Sequence, residues 1–379
     1  MTNPKKPIIT SPAKILFINL EGQIAGAENS LLLNIRYLPS RYYVQIMCPE
    51  TGGLAELLRS KGVEVYALPV PPRRWNNLLS SGFYYLRANV KVLWVIINQR
   101  PCLIHANSTK AALSILLGAT FMKSRIIWHV RDTSCPSWLI KICSMCSSKI
   151  IAVSKSIQSL LISKGVLSEQ IEVVHNSLEI SQGDWVDDAE RNQRLFTFAN
   201  IGQFVPWKNQ TLFIDAAEEY LQKGMHARFL IVGGDMFGRD REYEALLQKR
   251  ANESPYSDLI QIVPWQKDTC NYWRNVNCLV HTADTEPFGR VIIEAMEKRV
   301  PVVAANAFGP SEIIQHDVTG LLFEPNDISD LIQCMKTVSR NQNKAKEMAL
   351  AGHRYVCQNH NIKTMVKRIH DIYDELLVA

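Results

Sequence analysis

The chain has 379 residues, 47% of them apolar, with a net charge of +6; this is more than one ordinary core holds, so two domains are expected. No stretch approaches the ~18 apolar residues a membrane span needs, and the apolar run near the amino terminus is too short for the core of a signal peptide. Nine cysteines, scattered and odd in number, point to free thiols in a reducing compartment and so to a cytoplasmic protein; Cys143 and Cys146 have CxxC spacing, but no second pair or nearby histidine completes a zinc site.

In chain order, strand-like runs fall at 14–20 (KILFINL), 42–48 (YYVQIMC), 63–68 (VEVYAL), 102–107 (CLIHAN), 125–130 (RIIWHV), 149–154 (KIIAVS) and 171–176 (IEVVHN). A second series follows at 196–202 (FTFANIG), 227–234 (ARFLIVGG), 259–264 (LIQIVP), 277–282 (NCLVHT), 300–305 (VPVVAA) and 319–325 (TGLLFEP). Amphipathic segments lie between most of them. Strands alternating with helices of this length predict βαβ units and parallel sheets, hence an α/β protein of two doubly wound, Rossmann-like domains. The polar, acid-rich stretch SLEISQGDWVDDAERNQRLF places the boundary near residue 185.

Charge is distributed unevenly. Met1 to Ser168 holds 20 Lys plus Arg against 6 Asp plus Glu, a net +14, and the remainder holds 22 against 30, a net −8. Between Glu64 and Glu169 the only acid is Asp132. In that window Arg73, Arg74, Arg87, Lys91 and Arg100 are interleaved with Trp75, Phe83, Tyr84, Tyr85 and Trp94. A basic, aromatic-rich helix is what an anionic membrane surface attracts; the plainer reading is a solvated helix beside a core. Nucleic acid is not expected as a partner, since no recognition motif accompanies the charge.

Parallel sheets bind ligands at the carboxyl ends of their strands. The first strand runs into EGQIAGAENSLLL, where Gly22 and Gly26 precede a helix opening near Ala27; glycines there let backbone N–H groups approach a phosphate. The loop is not GxGxxG, and no acid ends the second strand, so a dinucleotide fingerprint matches poorly. The second series repeats the arrangement with Gly202, a loop and Lys208 near a helix start, and Gly233 and Gly234 end another strand. In EPFGRVIIEAMEKRV, Pro287 suits a first helical turn, from which the N–H groups of Phe288, Gly289 and Arg290 would point toward an anion. Glu294, two turns in, suits a diol, and Glu286, ahead of the helix, a sugar.

In this order the residues resemble the retaining glycosyltransferases of family 4, which have the GT-B fold and an E-x7-E motif, matched by Glu286 and Glu294. The resemblance extends through the Gly26-Ala27-Glu28 loop, His129 in WHVRD, IAVS, VVHNS, Lys208 in WKNQ, VGGD and TGLLFEPND. It implies that Glu294 binds the ribose hydroxyls and Glu286 the donor sugar. Lys208 and the N–H groups of Phe288 and Gly289 would hold the diphosphate as it gains charge. His129 would face the sugar and steady developing positive charge through its carbonyl or ring; its alternative is a core histidine. The paired-carboxylate logic of glycosidases does not transfer. No D-x-D occurs, consistent with a metal-independent site. Ala25 stands where the family usually has a first glycine, and Gln203 where it often has an arginine; Arg290 would stand in for that missing cation.

The expected enzyme needs no cofactor beyond its nucleotide diphosphate-sugar donor, and its acceptor is a lipid-linked or polysaccharide intermediate bound by the basic first domain. The expected division is 1–185 for that domain and 186–360 for the donor-binding domain, with a terminal helix at about 361–379 packing back on the first. The protein would be cytoplasmic, peripheral on the membrane's inner face. A non-hydrolysing sugar-nucleotide epimerase and a non-catalytic membrane-associated scaffold share the fold and stand as alternatives.

Overall fold

The computed structural model describes residues 12–70, 78–122, 125–180, 195–265 and 273–378. Seven strands form the first sheet: β1 (Ala13–Ile18), β2 (Tyr42–Pro49), β3 (Glu64–Leu68), β4 (Leu103–Ala106), β5 (Ile126–Val130), β6 (Lys149–Ala152) and β7 (Ile171–Val173). Six form the second: β8 (Thr197–Gln203), β9 (Arg228–Gly234), β10 (Ile260–Pro264), β11 (Cys278–His281), β12 (Val302–Ala305) and β13 (Leu321–Phe323). All neighbours pair in parallel, in the orders β3-β2-β1-β4-β5-β6-β7 and β10-β9-β8-β11-β12-β13. Helices cover both faces of such sheets, so strand side chains on both faces are buried and the runs read as continuous rather than alternating. Ile15, Leu16, Phe17, Ile18, Ile150 and Ile151 show this in one sheet, and Leu279, Val280 and Val303 in the other. Phe198, Tyr220 and Phe229 fill one layer beside the second sheet, with ring centroids 5.5 to 5.7 Å apart.

Each sheet has a point where the strand order reverses, between β1 and β4 and between β8 and β11, and loops leaving such a point open a crevice for ligand. In the first sheet Asn19 follows β1 and Asn107 follows β4; in the second, Lys208 lies beyond β8 and Glu286 beyond β11. Parallel crossovers are right-handed. The steps β1 to β2 to β3 run one way across the sheet. Those from β3 to β4, β4 to β5 and β5 to β6 run the other way, which sets helices Leu78–Gln99, Leu116–Met122 and Ser137–Met145 on one common face.

The chain packs as two compact units: Met1–Val153 with Ile157–Val174 and Val366–Ala379, and His175–Met365 with Ser154–Ser156. The expected boundary near residue 185 lies outside the described residues. Most of helix Ile362–Val378 thus belongs to the first unit, where Tyr373 is fully buried and Asp374 accepts hydrogen bonds from Tyr42 Oη at 2.6 Å and Arg41 Nη2 at 2.9 Å.

Candidate active site

In the second unit Lys208 ends a single 3-10 turn, Pro206–Lys208, and Asn209 takes left-handed backbone (φ 53°) before helix Gln210–Gln222. The position is fixed from behind. Thr282 Oγ1 donates to the Lys208 carbonyl at 2.9 Å and accepts from Asn200 Nδ2 at 3.0 Å, tying this turn to the loop after β11. The ammonium lies 4.6 Å from the Trp207 ring centroid, a favourable cation–π distance. It contacts Glu286 Oε2, the oxygen that His281 Nε2 approaches at 3.2 Å. Burial pushes the Glu286 carboxyl up, but Lys208 and His281 outweigh it and hold the group well below the usual carboxylate range. The pair is therefore ionised, inside a site where a lost partner is costly. Gly202 passes close by: a Cβ there would lie 3.9 Å from Lys208 Nζ.

Helix Arg290–Glu297 begins at Arg290, not at Pro287. Gly289, its N-cap, has φ 99° and ψ 56°, a left-handed conformation that favours glycine and interrupts any helical path from Pro287. The positive helix end is thus presented at Arg290 and Val291, with Phe288 one residue outside it. The Phe288 side chain is buried, its ring centroid 5.8 Å from His175 and 5.6 Å from His360. Arg290 Nη2 lies 3.2 Å from Glu294 Oε1, so the cation expected to replace the one missing at Gln203 is shared with the carboxylate expected to bind ribose.

Gly26 and His129 are in the first unit. Helix Gly26–Arg36 starts one residue before the expected Ala27, with Ala25 as N-cap at φ −118°. That angle suits any L-residue, so alanine replaces glycine there without backbone strain. Glu28 accepts from the Ala25 N–H and from Asn19 Nδ2, both at 3.2 Å. From here a buried polar chain crosses the sheet. Asn107 Nδ2 donates to Asn19 Oδ1 at 2.9 Å, Arg131 Nε donates to Asn107 Oδ1 at 3.1 Å, and Arg131 Nη2 reaches His129 Nδ1 at 3.2 Å. His105 Nε2 approaches the same Nδ1 at 3.2 Å, Tyr373 Oη lies 2.6 Å from His105 Nδ1, and Asn34 Nδ2 donates to Tyr373 Oη at 3.3 Å.

The directions in this chain follow from donor chemistry. Arginine only donates, so His129 Nδ1 accepts, His105 gives its Nε2 proton to it, and Tyr373 gives its hydroxyl proton to His105 Nδ1. Burial, with Arg131 nearby, lowers both imidazoles, His105 to about 3 and His129 well below its usual value. Both rings are neutral, and His129 carries its proton on Nε2, a buried atom with no hydrogen-bond partner among the described residues. The ring is therefore a donor. Of the two expected routes for steadying positive charge, the ring presents an N–H dipole, which suits a hydroxyl or carbonyl oxygen, while the backbone carbonyl is a separate group that this tautomer does not affect.

The structure thus brings Lys208, Glu286, Gly202 and Gly289 together, pairs Arg290 with Glu294 beside them, and connects the Gly26 turn to His129. His281, Arg131, His105 and Tyr373 were not anticipated. His281 and Arg131 were open to the strand-end rule, at the last residue of β11 and just past β5; Tyr373, 268 positions from its partner His105, carries no local signal.

Two family models divide the chain: Glycosyltransferase Family 4 matches residues 24–182, and Glycosyl transferases group 1 matches residues 182–355. UDP-Gal:alpha-D-GlcNAc-diphosphoundecaprenol alpha-1,3-galactosyltransferase of Escherichia coli is 20% identical over 97% of this chain and 98% of its own. The capsular polysaccharide biosynthesis glycosyltransferase CapM of Staphylococcus aureus is 20% identical over 87% of this chain and 94% of its own. The crystal structure of Anabaena HepE in complex with UDP and glucose superposes with a TM-score of 0.81 at 23% identity, over 95% of this chain and 99% of that one. Fold and family models together define a glycosyltransferase of the GT-B architecture. The chain belongs to the family-4 type of these enzymes.

Proposed function

We propose that the protein transfers a hexosyl group, with retention, from a nucleoside diphosphate-sugar to a lipid-linked or polysaccharide acceptor. The observation that carries this is the Lys208–Glu286–His281 cluster at the reversal point of the second sheet, beside the positive end of helix Arg290–Glu297. In this reading Lys208 and the N–H groups at Gly289 and Arg290 take the diphosphate charge that grows as the glycosidic bond breaks, so no metal is needed. Phe288 offers only its backbone, its ring being committed to packing. Glu294 accepts from the ribose hydroxyls once Arg290 turns to the diphosphate, and Glu286 accepts from the sugar. His129 donates from Nε2 to a sugar oxygen, and the Gly26 turn adds backbone N–H groups. A UDP-sugar donor is favoured by the UDP-Gal named for the E. coli relative and the UDP held by HepE; a polyprenyl diphosphate-linked acceptor is favoured by that same relative.

The test is incubation with a panel of UDP-, GDP- and ADP-sugars and a polyprenyl diphosphate-linked acceptor, with and without a chelator. Expected are free nucleoside diphosphate, a glycosylated acceptor with the donor's anomeric configuration, and no loss on chelation. Product with inverted configuration, or isomerised donor without release of nucleotide, overturns the reading.

A further inference from the structure

The first unit carries an apolar surface that its own fold leaves uncovered. Helix Leu78–Gln99 buries Tyr84, Ala88, Val92, Val95 and Ile96 against the sheet. Its outer side should then be polar. Instead it exposes Phe83 (61%), Leu86, Val90, Trp94 (57%) and Ile97. At 100° per residue these five fall within an arc of about 80°, with Arg87 and Lys91 along one edge. Helix Ser137–Met145 repeats the pattern with Trp138 (64%), Ile142 and Met145 (78%) at i, i+4 and i+7, and Lys141 is exposed among them. The two helices share one face of the sheet by crossover hand, and Tyr85 of the first lies within electrostatic reach of Cys143 of the second. Leu117, exposed on the helix between them in sequence, adds to the surface.

We infer that this two-helix face is the surface by which the enzyme enters an anionic lipid bilayer, with the Phe83–Trp94 stripe and Trp138 seated among acyl chains and Arg87, Lys91 and Lys141 at the headgroups. The inference deepens the proposed function, since a lipid-linked acceptor must be met at its membrane. Three observations favour a bilayer. The charged residues edging the stripe, Arg87 and Lys91, are both cations, and the only acid between Glu64 and Glu169, Asp132, is half-buried and accepts from Thr109 Oγ1 at 3.1 Å. Two tryptophans, Trp94 and Trp138, are exposed on this face, and an indole ring gains by entering the boundary of headgroups and hydrocarbon with its apolar edge toward the acyl chains. Among the described residues no helix is long and apolar enough to cross a membrane, so the face suits a helix lying in the interface. Of the residues singled out earlier, Arg73, Arg74 and Trp75 lie outside the described residues, while Arg87 and Lys91 edge the stripe and Phe83 and Trp94 belong to it.

The experiment is co-sedimentation of the full chain with vesicles of phosphatidylglycerol and phosphatidylcholine, and with phosphatidylcholine alone. Wild type is expected to bind the anionic vesicles with a blue shift of tryptophan emission, and to stay partly bound when salt is raised, as insertion is screened less than charge. Phe83→Ser, Trp94→Ser and Trp138→Ser together should lower the partition coefficient about 100-fold, with unchanged circular dichroism. Arg87→Glu with Lys91→Glu should weaken binding and reduce its salt sensitivity. Indifference of the wild type to anionic vesicles at low salt overturns the inference, as does a triple variant that partitions normally. So does a wild-type dimer that the triple variant converts to monomer, with neither form binding vesicles, since a second copy would then cover the face. Calorimetry with UDP-sugar separates the two readings: a chain that binds vesicles and no nucleotide retains this inference and loses the proposed function.

Discussion

Arg131 Nη2 lies 3.2 Å from Nδ1 of His129. A guanidinium has no acceptor, so this one contact settles which nitrogen of the imidazole holds the proton, and the Tyr373–His105 pair pushes the same way from the opposite side. Nitrogen NMR should find His129 protonated at Nε2 and bare at Nδ1 across about pH 5 to 8. Tyr373→Phe removes the hydroxyl donor to His105, should broaden or shift the His129 resonances, and should lower transfer about tenfold at unchanged nucleotide affinity. Protonation at Nδ1 in the wild type would sink the assignment.

The same burial makes folding sensitive to acid. His105, held at about 3, and His129, lower still than its usual value, stay neutral in the fold, while the unfolded chain takes up protons near the ordinary 6.5. Below that ordinary value the unfolded state therefore binds more protons, and stability falls as pH falls toward the folded-state pKa. Each histidine should contribute a loss of about 1 to 2 kcal/mol between pH 7 and pH 5. Urea unfolding at those two values measures it; His105→Asn should remove part of the slope, and an unchanged slope would contradict the account.

Lys208→Ala has two expected effects. Removing the ammonium leaves Glu286 buried with only His281 as partner, which should destabilise the unliganded protein by about 3 kcal/mol. Loss of one donor to the leaving diphosphate should lower turnover about 100-fold or more. Thermal unfolding and steady-state kinetics report these separately, and near-normal turnover in a folded variant removes Lys208 from the site.

The two glutamates should separate by calorimetry. Glu294→Gln should weaken binding of donor and of free nucleoside diphosphate alike, because both carry the ribose. Glu286→Gln should impair transfer with nucleotide affinity largely kept. Equal losses of nucleotide affinity for both variants would show that the assigned roles are wrong.

All thirteen strands among the described residues correspond to runs visible in the sequence, because in a two-sided parallel sheet the apolar run is the strand itself. Their ends were less legible. The expected 14–20 run stops at Ile18; the Asn19 N–H still reaches the Met47 carbonyl of β2 at 3.0 Å, and its side-chain amide turns to the Glu21 carbonyl at 2.6 Å. Lys208, Glu286 and Glu294 could be picked out by type and spacing, but not that Lys208 already holds Glu286, since a contact across 78 positions leaves no periodicity; the Arg290–Glu294 pair, at i,i+4, was open to the helical spacing. The helix start was misplaced because Pro287 and Gly289 give opposing local signals, and the left-handed glycine prevails. The apolar stripe on Leu78–Gln99 was hidden in a helix apolar on nearly every side; only burial distinguishes the core face from the outer one.

Tyr373 belongs to a helix that follows the whole of the second unit in the chain, yet it closes the hydrogen-bond chain behind His129 in the first. On the ribosome the amino-terminal sheet emerges early and can pair its strands, but His105 stays without its phenolic partner until more than 260 further residues have been made. The hydrogen-bond chain behind His129 is thus completed last, after the second unit has emerged. Under the proposed function, a chain arrested before Tyr373 would carry Lys208 and both glutamates without the hydroxyl that orients His105, and would bind donor while transferring its sugar more slowly.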